Sequence, residues 1–444
     1  MQSNNVINFI FFIAIVLVIN VFACKTPRSS LPSEAIAEVA ESSVVIPKFR
    51  KVIVDTVFRS EAITTADLNI DGYLDIIIGD VWFEGPEWNM HQIRPFETFD
   101  NGLHKWGEKK GPLPYYSNSF AVQAIDVNRD GWDDILIYPV MNEPVYWYEN
   151  PQGKAVKWKE YIAYNAYHGE SPLLAEFEKS NKFPLAGFNV SDTLMHLGMI
   201  KPKENVYEEW ELYAIGHTSI KRFKGPGWNK LSKYFAPGAI GHGLGIGDIN
   251  GDGYDDVLTR SGWYESPKDL KKQNWNFHYM PFDSIANPET PQYQFAQMEV
   301  FDIDRDGDAD FFGSSAHQYG LWWFEQIMEN EGTSFLKHDI PHIISQAHAV
   351  AKGDLNNNGI PDLITGKRYL AHTGNDPGWD DPVELLWLEP RVNKAGQVEW
   401  VIATIDIGVG VGTQIEIQDI DKDGMGDILV SNKKGTYAFM QEMN

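Results

Sequence analysis

One cysteine, Cys24, stands in a chain of 444 residues. No intrachain disulfide can form, and thiolate metal sites and CxxC redox chemistry are excluded. Basic residues are scarce: 37 Lys and Arg face 62 Asp and Glu, for a net charge of −25. Such a balance argues against holding nucleic acid or an anionic membrane by bulk charge. Long apolar runs are lacking too. The one near the start, Phe9 to Phe22 with Asn20 inside it, is too short for a stable spanning helix. No Ser-His-Asp elbow, P-loop or HExxH motif is present. What remains is 43% hydrophobic and 13% aromatic, enough for a large core and against global disorder.

The short apolar run fits a signal peptide over residues 1–23. It ends in Val21-Phe22-Ala23-Cys24, a small residue before a lone Cys, which resembles a bacterial lipobox. Cys24 is then the lipidated N-terminus; the alternative is an ordinary signal peptide cleaved elsewhere. Residues 24–47, rich in Ser, Pro, Ala and Glu, read as a tether. The expected location is the bacterial envelope, with a lipid anchor in the outer membrane as the membrane contact.

A repeat organises residues 48–444. Six segments carry acidic or amide residues at offsets 0, 2 and 4, Gly at 5 and Asp at 8. They are Asp67-Asn69-Asp71-Gly72-Asp75, Asp126-Asn128-Asp130-Gly131-Asp134, Asp248-Asn250-Asp252-Gly253-Asp256, Asp302-Asp304-Asp306-Gly307-Asp310, Asp354-Asn356-Asn358-Gly359-Asp362 and Asp419-Asp421-Asp423-Gly424-Asp427. Their first residues are 59, 122, 54, 52 and 65 apart, so a degenerate copy is expected in the double gap, at Glu170 to Phe188. Each loop lies between strand-like runs, and four are followed by an aromatic-aromatic-Glu signature such as Trp263-Tyr264-Glu265, with a looser copy at Trp387-Leu388-Glu389. Four strands per repeat predict an all-β fold, a seven-bladed propeller. The strand Arg50 to Val54 is expected to complete the last blade and close the ring.

Oxygen ligands at alternate positions, a Gly at the turn and a later Asp suit a hard divalent cation, most often Ca²⁺. Strands rather than helices flank the loops, which disfavours an EF-hand. The bland reading is turn chemistry, since Asp, Asn and Gly make Asx turns without metal. A metal recurring in every blade is structural rather than catalytic.

The strand before each loop should line the channel. Six residues before each loop start stand Glu61, Phe120, Glu170, His242, Ala296, His348 and Thr413. Two His and an acid in one register suggest proton transfer by His242 and His348, with Glu170 beside them. Gln297 and Gln414 follow one residue on. After the loops come Ser315-Ala316-His317-Gln318-Tyr319, Gly366-Lys367-Arg368-Tyr369 with His372, and Asn432-Lys433-Lys434. These polar clusters could hold a carboxylate or sulfate, with Arg as a bidentate fork. His278 and His338, in outer strands, read as structural.

The loops resemble FG-GAP/VCBS-type propeller repeats, also seen in integrin α-chain heads. Gly241-His242-Gly243-Leu244-Gly245, Gln346-Ala347-His348-Ala349, Thr365-Gly366-Lys367-Arg368-Tyr369 with His372, and Gly410-Val411-Gly412-Thr413-Gln414 look like the propeller of aldos-2-ulose dehydratases. They also look like bacterial propeller dehydratases that act on ulvan oligosaccharides. The resemblance implies a lyase that eliminates water from a sugar, with sites at His242, His348, Lys367, Arg368 and His372. The chain has one propeller and no cupin-like part, so the isomerase half of the aldos-2-ulose activity is not expected. The expected enzyme is a monomeric hydro-lyase acting on a terminal uronic acid of an acidic oligosaccharide. His317, Tyr319 and Gln414 join Lys367, Arg368 and His372 in binding, and a second divalent cation at the active site is an option. The alternatives are a non-catalytic propeller that binds glycan or protein, and a polysaccharide lyase cutting internal bonds.

Overall fold

The structure is a computed structural model that describes residues 44–96, 116–139, 143–154, 156–165, 167–178, 181–191, 194–219, 243–270, 272–286, 295–329, 332–374 and 376–443. The leader, Cys24, most of the tether and His242 lie outside the described residues.

The described chain is all-β, in a propeller-like arrangement. Five four-stranded sheets stand beside one eight-stranded sheet, and pairing inside each four-strand run is antiparallel. The eight-stranded sheet consists of two such runs joined by one parallel contact, Leu244 to Gln297. First strands neighbour one another in a closed cycle. Thr64–Ala66 lies beside Ala121–Ile125, then come Tyr167–Glu178, Leu244–Gly247, Phe295–Phe301, Ala347–Gly353 and Ile415–Gln418, which returns to Thr64–Ala66. The strand Lys48–Asp55 pairs with Gly435–Glu442 in the last sheet, in register from Lys48 opposite Glu442. The start of the described chain thus covers an edge that would otherwise stand open.

Second strands read as unbroken apolar runs because both faces are covered. Asp75–Ile78 and Asp134–Tyr138 are buried throughout. Clusters form between sheets: Ile364 and Trp387 of one sheet pack with Ile428, Val430 and Phe439 of the next. Burying such faces stabilises by roughly 25 cal/mol per Å² of apolar surface.

The degenerate copy is a sheet of its own, Tyr167–Glu178 to Glu211–Ser219, whose first hairpin pairs Glu178 with Asn181 where the others carry an acidic loop. The six acidic loops share one geometry. In the first, the Asp67 carboxylate accepts the N–H groups of Asp71 and Gly72, at 3.1 and 2.8 Å. The Gly at offset 5 has φ near +90°, +91° at Gly72 and +98° at Gly307, and a Cβ there would meet only the distant Lys422 tip or nothing. Backbone conformation, not space, selects glycine. The last Asp is fully buried in every loop. Asp75 accepts the amides of Leu68 and Gly85, and Asp310 those of Ile303 and Gln326. Each therefore ties the loop to the residue after the aromatic-Glu signature. In one sheet that residue is Pro390, which has no N–H to give, and Asp362 keeps only its bond from Leu355 among backbone amides.

Candidate functional site

First strands end at the acidic loops and second strands run back. The connections between second and third strands therefore share an end of the fold with the residues that precede the first strands. Six strand residues at about 3.3 Å each set this end roughly 20 Å from the acidic loops.

Glu61, Phe120, His348 and Thr413, all from the six-residue register, converge there and are buried. Thr413 Oγ1 donates to the carbonyls of Glu61 and Phe120, at 3.0 and 2.6 Å. Arg368 Nε donates to Glu61 Oε1 at 2.9 Å, and Lys433 Nζ lies 3.6 Å from the same oxygen. None of the three charged side chains is exposed. The Arg368 guanidinium sits 5.6 Å from the ring centres of Tyr116 and Phe120, and Lys433 4.4 Å from that of Tyr116. Burial alone would raise the Glu61 carboxyl. The charges of Arg368 and Lys433, the Arg368 hydrogen bond and nearby His348 outweigh it and hold the group below its ordinary value.

His348 leads to a second group. Its ring centre is 5.9 Å from that of His317, edge to face, and neither ring is open to solvent. His317 Nδ1 is 2.9 Å from Asp376 Oδ2. Asp376 opens a strap, residues 376–382, laid across this end. Ser345 Oγ donates to Gly378 O, Gln346 Nε2 to Pro377 O, and Lys367 Nζ to Trp379 O at 3.1 Å. Tyr319 donates to Asp381 Oδ2 at 2.6 Å. Burial pushes the Lys367 ammonium below its ordinary value, against the pull of Asp381, Asp380 and Asp376.

Several expectations change. Lys367 and Arg368 do not form one anion-binding fork. Successive side chains leaving a strand point to opposite sides, so Lys367 faces the strap while Arg368 is neutralised by Glu61. Gln414 is not offered to a ligand: its amide accepts from Val122 N–H at 2.9 Å and donates to Val122 O at 3.2 Å, joining two first strands. Glu170 lies on the strand Tyr167–Glu178 and His372 in the short turn Ala371–Gly374; both side chains fall outside the described set. Glu61, Asp376 and Asp381 were missed as site members, although Glu61 heads the register and Asp376 and Asp381 follow the basic cluster closely; Lys433, expected among the clusters for a carboxylate or sulfate, lies against Glu61 instead.

His278 and His338 lie in the outer strands. They stack on Trp263 and Trp323, at 4.0 and 4.3 Å, with Nε2 on Glu265 and Glu325. His91 repeats the arrangement on Trp82 and Glu84. The signature Glu also reaches the acidic loops, as Asn69 Nδ2 donates to Glu84 and those of Asn356 and Asn358 to Glu389.

For a cation, Asp302, Asp304 and Asp310 bring ligand oxygens within 4.8 Å of one another, as do Asp419, Asp421 and Asp423. Burial and the neighbouring carboxylates push Asp304 up to about 6. Asp310 is raised to about 8 by burial first, then Asp304, against its backbone hydrogen bonds. Crowded carboxylate oxygens of this kind fit a hard divalent ion.

A family model described as an FG-GAP-like repeat matches residues 302–365, which span two acidic loops and the strands between them. No curated protein matches the chain. Among solved structures, the chain is similar to a lectin of Agrocybe aegerita described as specifically recognising non-reducing terminal N-acetylglucosamine. Identity is 13%, coverage 81% of each chain, and the TM-score 0.38. The chain thus carries an FG-GAP-like repeat within a propeller-like arrangement of sheets.

Proposed function

We propose that the protein is a carbohydrate lyase, a hydro-lyase acting on a terminal uronic acid of an acidic oligosaccharide. The observation that carries this reading is the His317–His348 pair, with His317 held by Asp376 and with Lys367 under the same strap. A carboxylate bound to one ring nitrogen fixes the tautomer and orientation of the other, as general acid–base work requires. In the proposed reaction one His takes the proton α to the substrate carboxylate. The electron pair forms the C4–C5 double bond, the C4–O bond breaks, and the second His protonates the departing hydroxyl to give water. Lys367 steadies the enolate. His242 is an alternative member of the pair.

The surrounding frame is proposed with it. The eight-stranded sheet counts as two blades, giving seven, a count supported by the closed cycle of first strands. The acidic loops hold structural Ca²⁺, and Cys24 carries lipid.

A second reading, a non-catalytic binding propeller, is favoured by the complete burial of His348 and of the Glu61–Arg368–Lys433 group. One experiment separates the two: incubation with acidic oligosaccharides, followed by ultraviolet absorbance of the unsaturated uronate. The lyase reading expects product from the wild-type chain and a loss of about 10²–10⁴-fold in His317→Ala or His348→Ala. Binding without product would leave the second reading.

A further inference from the structure

Beside the His pair, between the segment that enters the strand Ala347–Gly353 and the strap, lies a cleft of about 420 Å³. Its volume falls in the range of small-molecule sites, about 300–1,000 Å³. One wall is apolar, from Ile343, Ile344 and Pro382, and polar groups of Ser345, Lys367, Asp381 and Glu384 converge on it. Tyr319, 40% exposed, contributes a ring edge and a hydroxyl.

We infer that this cleft binds a neutral pyranose unit. The deciding feature is charge. Asp381 and Glu384 line the cleft against one cation, Lys367, whose Nζ already donates to Trp379 O. Asp380 and Asp376 add further negative charge nearby. A uronate or sulfate entering here would meet a net negative wall, whereas sugar hydroxyls donate to carboxylates at no such cost. The C–H face of a pyranose matches Ile343, Ile344 and Pro382. Glu384 is held for this task by His342, whose Nε2 lies 3.0 Å from Glu384 Oε2. Asp381 is likewise held by Tyr319. Because Tyr319 and Lys367 adjoin the His pair, the bound unit would be the neighbour of the reacting uronic acid; that role, though not the binding itself, rests on the lyase reading.

The test is calorimetric titration of the full chain with neutral oligosaccharides and, in parallel, with uronate oligosaccharides and a neutral non-sugar polyol. Neutral sugars should bind, and Glu384→Gln should weaken binding about tenfold, as loss of a charged hydrogen-bond acceptor does. Ile343→Asp should weaken it comparably, and Ile343 is 87% exposed, so this variant tests the wall without disturbing the core. Absence of neutral-sugar binding, tighter binding of uronates in this cleft, or equal affinity in both variants would each overturn the assignment. Neutral sugars carry no carboxylate to react, so the two ideas fail separately. Binding without any product leaves the cleft standing and removes the lyase; product without neutral-sugar binding does the reverse.

Discussion

Glu61 is the residue on which the site's electrostatics turn. It lies against two buried cations, Arg368 and Lys433. Removing one partner of a buried ion pair leaves uncompensated charge and typically costs about 3–5 kcal/mol. Glu61→Gln should therefore lower the unfolding free energy from urea titration by about that much, with a lower midpoint at unchanged slope, while Glu61→Gln combined with Arg368→Met should recover part of it. The acid side gives an independent check. Glu61 is held below its ordinary value of 4.5, so its contribution is present above that pH and is lost as pH falls through the folded value. Wild-type stability should decline below about pH 4.5 more steeply than that of Glu61→Gln; parallel acid curves would contradict the pairing. Residue spacing placed Glu61, Phe120, His348 and Thr413 in one layer correctly, because a strand register repeats in every sheet. It could not show that Arg368 turns to Glu61. That contact joins positions 307 apart, and no local pattern encodes the sign of a partner across the fold.

At the scale of elements, the acidic loops were legible because one offset pattern dictates one turn, down to the left-handed glycine. The strap was not, since nothing periodic marks residues 376–382. It is held by side chains from three segments, and its own acids, Asp376 and Asp381, read in sequence as ordinary loop polarity. Gly378 is its critical point. It has φ of +72°, and a Cβ there would come within 2.5 Å of both Tyr319 Oη and Asp381 Oδ2. Gly378→Ala should displace the strap from Tyr319 and Ser345. Because the strap lies outside the sheet cores, the melting temperature should shift by only a few degrees, consistent with about 1 kcal/mol of left-handed strain. Oligosaccharide affinity should fall severalfold or more. A variant that binds normally would show that the strap does not shape the site.

Cation binding belongs to the scale of the whole molecule, because the loops recur around the ring rather than at one place. With Asp302, Asp304 and Asp310 converging in one sheet and Asp419, Asp421 and Asp423 in another, a bound ion would relieve carboxylate repulsion at separate points of one cooperative structure. Ligands that bind only the folded chain stabilise it by mass action, by about 2.7 kcal/mol at a hundredfold excess over Kd. Exhaustive chelation should lower the melting temperature, and added Ca²⁺ should restore it. An unchanged melt, with no metal found by mass spectrometry, would reduce the loops to turns.

Closure of the ring is the last consequence at this scale. Two kinds of contact join the start of the described chain to its end: the pairing of Lys48–Asp55 with Gly435–Glu442, and the hydrogen bonds of Ser60 and Glu61 carbonyls to Ser431 Oγ and Thr413. No side chain of Lys48–Asp55 is fully buried, and only Phe49, Val52 and Val54 pack half-buried against the core clusters, so the strand's apolar burial is modest. Its importance lies in the row of backbone groups it satisfies on Gly435–Glu442. Without it that strand becomes an unpaired edge, a template for another chain. A chain beginning at Thr56 should keep the Ser60 and Glu61 contacts and fold. It should nevertheless melt at lower temperature and associate with concentration, because each molecule offers an edge to the next. Adding the peptide Lys48–Asp55 in trans should suppress that association. If the shortened chain stays monomeric in sedimentation and melts like the full one, the hydrogen bonds to the Ser60 and Glu61 carbonyls suffice to hold the ring.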